Sequence, residues 1–199
     1  MSCTSKRIYD SVKFCAGSPV MSGIRPKVFF IPKSDIVTWP VLPSFGTTGV
    51  TMNQLASYTG NFVLAADKHW LELDTLTARD NVRTEAVGEW PSRVNNCQAD
   101  LVLADVEEYA AGFARQANND DLVYLVQQRN GKFRVLGNEA FSTDTQVAQA
   151  LGEGEQGEVG TTLTVAVLDE APAPFYPGEI ETADGKISGA DGSPIVEGG

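Results

Sequence analysis

The sequence predicts a mainly β fold, a twisted β-sandwich or barrel with one flanking α-helix over about residues 106–117. Three observations carry this expectation. Short β-branched and aromatic runs recur along the chain, several of them closed by Pro or Gly. A single stretch places apolar residues at helical spacing. Asn130-Gly131 lies between two apolar runs, the strongest short-range signal of a hairpin. With 199 residues, 42% of them apolar and 21% charged, the chain suits one domain. That domain is expected over residues 27–176, between an extended N-terminal arm (1–26) and a flexible acidic C-terminal tail (177–199).

The elements follow in order. Residues 1–26 mix Ser, Gly and Pro with scattered apolar side chains and keep no period. Residues 27–31 (KVFFI) form the first strand, closed by Pro32, which has no N–H to give to a ladder. A second strand, 35–39 (DIVTW), stops at Pro40, and the Pro, Gly, Ser and Thr of 41–59 make a long loop. Residues 62–65 and 69–73 are expected to pair with each other across a turn at 66–68. The run 81–90 alternates Val82, Thr84 and Ala86 against Arg83, Glu85 and Val87 and ends at Pro91; residues 94–103 add another strand.

The helix comes next. Asp105 followed by Glu108 matches a capping box, in which two side chains satisfy free N–H groups at a helix start. Val106, Tyr109, Ala110, Phe113, Ala114 and Ala117 then share one face, and Asn118 and Asn119 end the element. Residues 122–137 form a hairpin with a type I′ turn at Asn130-Gly131, bringing Arg129, Lys132 and Arg134 near its tip. The last strand is 161–168 (TTLTVAVL). Beyond Tyr176, Gly, Asp, Glu, Ser and Pro dominate, a composition poor in core-forming residues.

Charge is distributed unevenly. The net formal charge is -11. Residues 139–199 carry twelve acidic side chains against Lys186 alone, so the preceding 138 residues sum to zero. Lys6, Arg7, Lys13, Arg25, Lys27 and Lys33, opposed only by Asp10, make the beginning basic, while Glu153, Glu155 and Glu158 stud a flexible acidic loop. A pI near 4.5 argues against a sequence-independent nucleic-acid binder, which needs cations to displace counterions from phosphates, and leaves open a surface that lets DNA slide past. No apolar run approaches the roughly 20 residues that span a bilayer, and the charged start is unlike a secretory leader, so a soluble, unexported chain is expected.

Catalytic patterns are absent from the sequence. Cys3, Cys15 and Cys97 are an odd number at spacings unsuited to a disulfide framework, and with His69 as the one imidazole a zinc site would have to gather all four; free thiols are expected. Gly152, Gly154 and Gly157 spell G-x-G-x-x-G, but Glu153, Glu155 and Glu158 would repel a pyrophosphate. Asp120-Asp121 are simplest as turn formers, and the Asp-Gly pairs at 184–185 and 191–192 lack the spacing of a calcium loop. Trp39, Trp70 and Trp90 each lie near a strand end, which suits packing or, alternatively, a sugar-binding platform. Neither enzymatic activity nor a cofactor is expected.

The strand series 62–103, the helix 106–117, the hairpin around Asn130-Gly131 and the closing strand 161–168 resemble, in element order, bacteriophage tail tube (major tail) proteins and their relatives in contractile injection machines. The N-terminal arm and the KVFFIPKSDI segment are also similar to phage structural proteins. The resemblance implies a β-sandwich subunit that assembles with itself into stacked hexameric rings, a conduit through which DNA passes as cargo. It implies a virion protein made in the bacterial cytoplasm, meeting other virion proteins and inserting in no membrane. The self-assembly candidates are the charged groups at the two ends and the hairpin tip: Lys6, Arg7, Lys13, Arg25, Lys27, Lys33, Arg129, Lys132, Arg134, Glu153, Glu155 and Glu158. The alternatives are a capsid decoration or head-tail connector protein, and a carbohydrate-binding β-sandwich module.

Overall fold

The structure, a computed structural model, describes residues 8–13, 16–17, 19–76, 79–103, 105–152 and 159–196. In chain order the strands begin with β1 (Ile24–Pro32), β2 (Ile36–Thr38), β3 (Val63–Leu64), β4 (Leu71–Asp74), β5 (Asn81–Val87) and β6 (Val94–Leu103). After the helix α1 (Glu108–Ala117) come β7 (Leu122–Gln128), β8 (Phe133–Leu136), β9 (Asp144–Leu151) and β10 (Val159–Asp169). The last are β11 (Phe175–Tyr176), β12 (Glu179–Thr182) and β13 (Gly185–Ser188). The fold is mainly β, with one α-helix among the described residues.

Two antiparallel sheets dominate: five strands in the order β11-β8-β7-β1-β4, and four in the order β5-β6-β10-β9. Two small pairs, β2-β3 and β12-β13, complete the set. The larger sheet is buried on both faces, as the near-continuous apolar run of β7 requires. Tyr124 and Val126, with Val28 and Leu136, meet Ala99, Leu101, Leu163, Val165 and Val167 of the smaller sheet. Helix α1 adds Ala117 to this cluster and packs Phe113 edge-on to Phe30, ring centroids 5.2 Å apart. On the opposite face of the larger sheet, Phe29, Ile31, Val123, Leu125, Phe133 and Val135 lie under Tyr58, Phe62, Trp70, Tyr176 and Ile180. The chain between β1 and β4, together with the C-terminal hairpin, thus forms a third layer.

That layer corrects the expected tail. Residues 179–188 form a hairpin, Ile180 is fully buried, and Trp70 N–H donates to Glu181 O at 2.8 Å. The glycines that suggested flexibility serve close backbone approach instead. A Cβ on Gly189 would collide with the carbonyl oxygens of Tyr176 and Gly178, and on the facing β7–β8 turn one on Gly131 would lie 2.8 Å from Asp191 O. The body therefore runs to residue 196. It also starts earlier than expected, because β1 passes through Pro26 at a register shift between Ile24 and Val28.

Four local expectations also change. Residues 62–65 and 69–73 do not pair with each other: β3 joins β2, and β4 joins β1. No capping box forms, since Glu107 is the N-cap and Asp105 Oδ1 accepts from Glu107 N–H. Tyr109, expected on the packed helix face, is 92% exposed. The β7–β8 turn is not type I′. Gly131 N–H donates to Gln128 O, and Gly131 has φ +96° while Asn130 is not left-handed, the pattern of a type I turn closed by a left-handed glycine. Strand β9 was not expected at all; its Gln- and Ala-rich sequence has weak β propensity.

Candidate functional site

The four-stranded sheet has one dry face and one wet face. Inward, Ala99, Leu101, Leu163, Val165 and Val167 are buried. Outward lie Arg83 and Glu85 of β5, Gln98 and Asp100 of β6, Thr162 and Thr164 of β10, and Gln146 and Ala148 of β9, all exposed or half-exposed. Cross-strand bonds knit this surface. Arg83 donates from Nε to Gln98 Oε1 at 2.8 Å and from Nη1 to Asp100 Oδ2 at 2.9 Å, and Thr164 Oγ1 donates to Asp100 Oδ1 at 3.3 Å. The outward positions of these strands hold one cation, Arg83, against Glu85, Asp100 and Asp144.

The two outer strands of this sheet differ at their open edges. β5 pairs with β6 alone, and no other strand covers its far side among the described residues. β9 pairs with β10, but Val147 N–H donates to Asn118 Oδ1 at 2.7 Å and Val147 O accepts from Asn118 Nδ2 at 3.4 Å. Asn118 thus imitates a neighbouring strand at one residue. Asp121 Oδ1 does the same for Thr143 N–H at 2.9 Å. Because backbone groups alternate sides along an antiparallel strand, Gln149 and Leu151 turn theirs outward as Val147 does. Among the described residues, the second half of β9 is consequently open.

The charged residues singled out from the sequence are scattered. Lys6, Arg7, Glu153, Glu155 and Glu158 lie outside the described residues, as do Cys3 and Cys15. Lys13 and Arg25 are exposed. Lys27 pairs with Glu72 across β1 and β4, and that bond raises its pKa. Lys33 donates to Phe141 O at 2.9 Å, faces Asp121 Oδ2 at 3.6 Å and lies over the Trp39 ring. Both lysines are engaged within the subunit. Lys132 and Arg134 converge on Phe175, at 5.7 and 4.1 Å from the ring centroid.

Arg134 is half-buried, and its Nη1 donates to Pro172 O and Ala173 O at 3.0 and 2.9 Å. Burial lowers its pKa below the ordinary guanidinium value. Its Nε is buried with no hydrogen-bond partner. Arg134 and Arg129 line a groove of about 760 Å³ beside the first half of β5, floored by Ile24, Val82 and Val126. Asp80 also borders it, but with its carboxylate occupied by Thr75 Oγ1 and Val102 N–H. Burial is the main reason its pKa is raised.

The remaining candidates have structural uses. Trp70 is buried and Trp39 half-buried, each packed edge-on to Phe62, while Trp90 is 82% exposed, so the three indoles form no shared platform. Asp120 Oδ1 accepts from Asp121 N–H, a turn bond. Cys97 is a buried free thiol whose pKa burial raises. No metal-holding cluster of His, Cys, Asp and Glu occurs among the described residues, and no described helix is long and apolar enough to cross a membrane. Comparison of the chain with family models, with curated proteins and with solved structures gives no match.

The open sheet is the feature that sequence reading missed. Its outer face was legible in part, since β5 and β10 alternate polar and apolar residues. Its far edge is not legible, because the Gln- and Ala-rich β9 carries little strand propensity of its own.

Proposed function

We propose that this chain is a self-assembling structural protein of a phage particle, the tail tube subunit. It is a two-sheet sandwich with an added third layer, and its four-stranded sheets join edge to edge into stacked hexameric rings around a DNA conduit. The observation that carries the reading is the four-stranded sheet itself, dry on one face, polar on the other, and open at β5 and at the second half of β9. Strand addition at such edges satisfies backbone groups and gives head-to-tail contacts, which close into rings or grow as filaments. The outward face, with Arg83 outnumbered by Glu85, Asp100 and Asp144, would let a polyanion slide past without sticking.

A second reading, a capsid decoration or head-tail connector protein, draws support from the Asn118 clasp on Val147, a device by which sheets discourage strand addition. Sizing chromatography and negative-stain microscopy separate the two. The tube reading expects rings and tubes from the parent chain. It also expects Gln149→Pro to keep the circular dichroism of the parent while losing rings, because it removes an N–H that faces away from β10. A parent chain that stays monomeric or trimeric at every concentration and salt tested overturns the tube and favours decoration.

A further inference from the structure

The groove beside β5 has the chemistry of a carboxylate receptor. Arg129 is exposed and makes no hydrogen bond or ion pair among the described residues. Arg134 presents a guanidinium already fixed by two carbonyls and by Phe175, with Nε buried and unpaired. A buried donor without an acceptor costs free energy, and a pre-oriented guanidinium recovers it best by bonding a carboxylate. The one acid on the rim, Asp80, has both oxygens bonded within its own subunit and does not serve.

We propose that this groove receives the acidic segment after β9, residues 152–158 of a second copy, with Glu153, Glu155 and Glu158 meeting Arg129 and Arg134. The proposal rests on the ring reading, which brings β9 of one copy beside β5 of the next. Strand directions alternate across the sheet β5-β6-β10-β9, so β9 runs opposite to β5, and a neighbour related by rotation adds antiparallel. Its β9 then runs toward the start of β5, the half along which the groove lies. The open part of β9, around Gln149 and Leu151, is also the part that leads into the acidic segment. The other acidic stretch is engaged at home: Glu179 and Glu181 stand 3.9 and 3.6 Å from Lys186. Edge pairing supplies the contact, and this charge match supplies its register and direction.

The test uses full-length chains. Arg129→Glu and the triple variant Glu153→Lys/Glu155→Lys/Glu158→Lys are each expected to assemble at least tenfold less than the parent by sedimentation, both keeping the parent melting profile. Mixed in equal amounts they are expected to assemble again, since alternating copies restore an opposite-charge match at position 129 in every contact. Parent-like assembly by both variants alone overturns the groove proposal and leaves the ring reading standing. Failure of the mixture to assemble, when both variants are folded, also overturns it.

Should the parent not assemble at all, a synthetic peptide of residues 150–160 is titrated onto it and followed by NMR. Saturable binding that is lost in Arg129→Glu and weakened by salt upholds the groove while the ring reading falls. Absence of binding removes both.

Discussion

The two large sheets are made of similar material and put to different ends. The five-stranded sheet is covered on both faces, by the smaller sheet and by the layer of Tyr58, Phe62, Trp70 and Ile180. The four-stranded sheet is covered on one face and leaves the other, with most of its edges, to water. Burial of apolar area stabilises by roughly 25 cal/mol per Å², so a sheet buried twice dominates the stability of the subunit. A sheet with a polar face and unpaired edges contributes less to its own subunit and keeps backbone groups free for another. Stability is concentrated in one sheet and the capacity to assemble in the other.

The largest expected effect tests the third layer. Ile180→Asp places an unpaired carboxylate among Phe133, Val135 and Trp70, and such substitutions cost more than about 4 kcal/mol. Loss of cooperative melting by circular dichroism is expected. A parent-like melt in which protease opens only the hairpin would show that this layer does not support the sheet. Adjacent residues on β10 provide a finer contrast. Leu163→Ala, facing the dry side, is expected to cost about 3 kcal/mol in denaturant titration. Thr164→Ala, facing water with one 3.3 Å bond to Asp100, is expected to cost about 0.5 kcal/mol or less. Similar costs at the two positions would remove the one-sided description of this sheet.

The sequence was informative where local chemistry and tertiary demand agree. KVFFI, the run after Asp121 and TTLTVAVL became β1, β7 and β10 because β-branched and aromatic residues at those positions also fill the core. It misled where long-range packing decided the outcome. The glycines at 178, 189 and 192 look like a solvated tail in isolation, yet they let backbone pack on Tyr176 and Gln127. Strand β9 owes its existence to eight register partners on β10 rather than to its own propensity. The basic residues near the hairpin tip are visible from the spacing of Asn130-Gly131, but the groove that Arg129 and Arg134 share with β5 needs the fold to bring residues 80–84 beside residues 126–134.

Smaller effects sharpen the edge of the open sheet. Asn118→Ala removes the amide that closes Val147, and is expected to lower stability by about 1 kcal/mol while increasing assembly, since it frees one more N–H and C=O on β9. Denaturant titration and sedimentation read the two halves separately. Reduced assembly in this variant would mean that the clasp orients β9 for its neighbour instead of blocking it.

The smallest effect concerns Asp80, at the start of β5. Burial holds its carboxyl above the ordinary 3.8, against the opposing pull of bonds from Thr75 and Val102. The folded chain therefore binds this proton more tightly than the unfolded chain does. The stability gained from that proton is fully present below 3.8 and is lost as pH rises through the raised folded value. Asp80→Asn keeps an acceptor for Val102 N–H, can donate to Thr75 Oγ1, and has no charge to bury. Its melting temperature is expected to equal or slightly exceed that of the parent at pH 7, and the difference should shrink or reverse as pH falls below 4. A variant that melts lower than the parent at pH 7, and by the same amount at every pH, would mean that the ionised carboxylate is stabilising where it stands. In that case the groove beside β5 is more acidic than its arginines suggest, and Asp80 would compete with any incoming carboxylate for them.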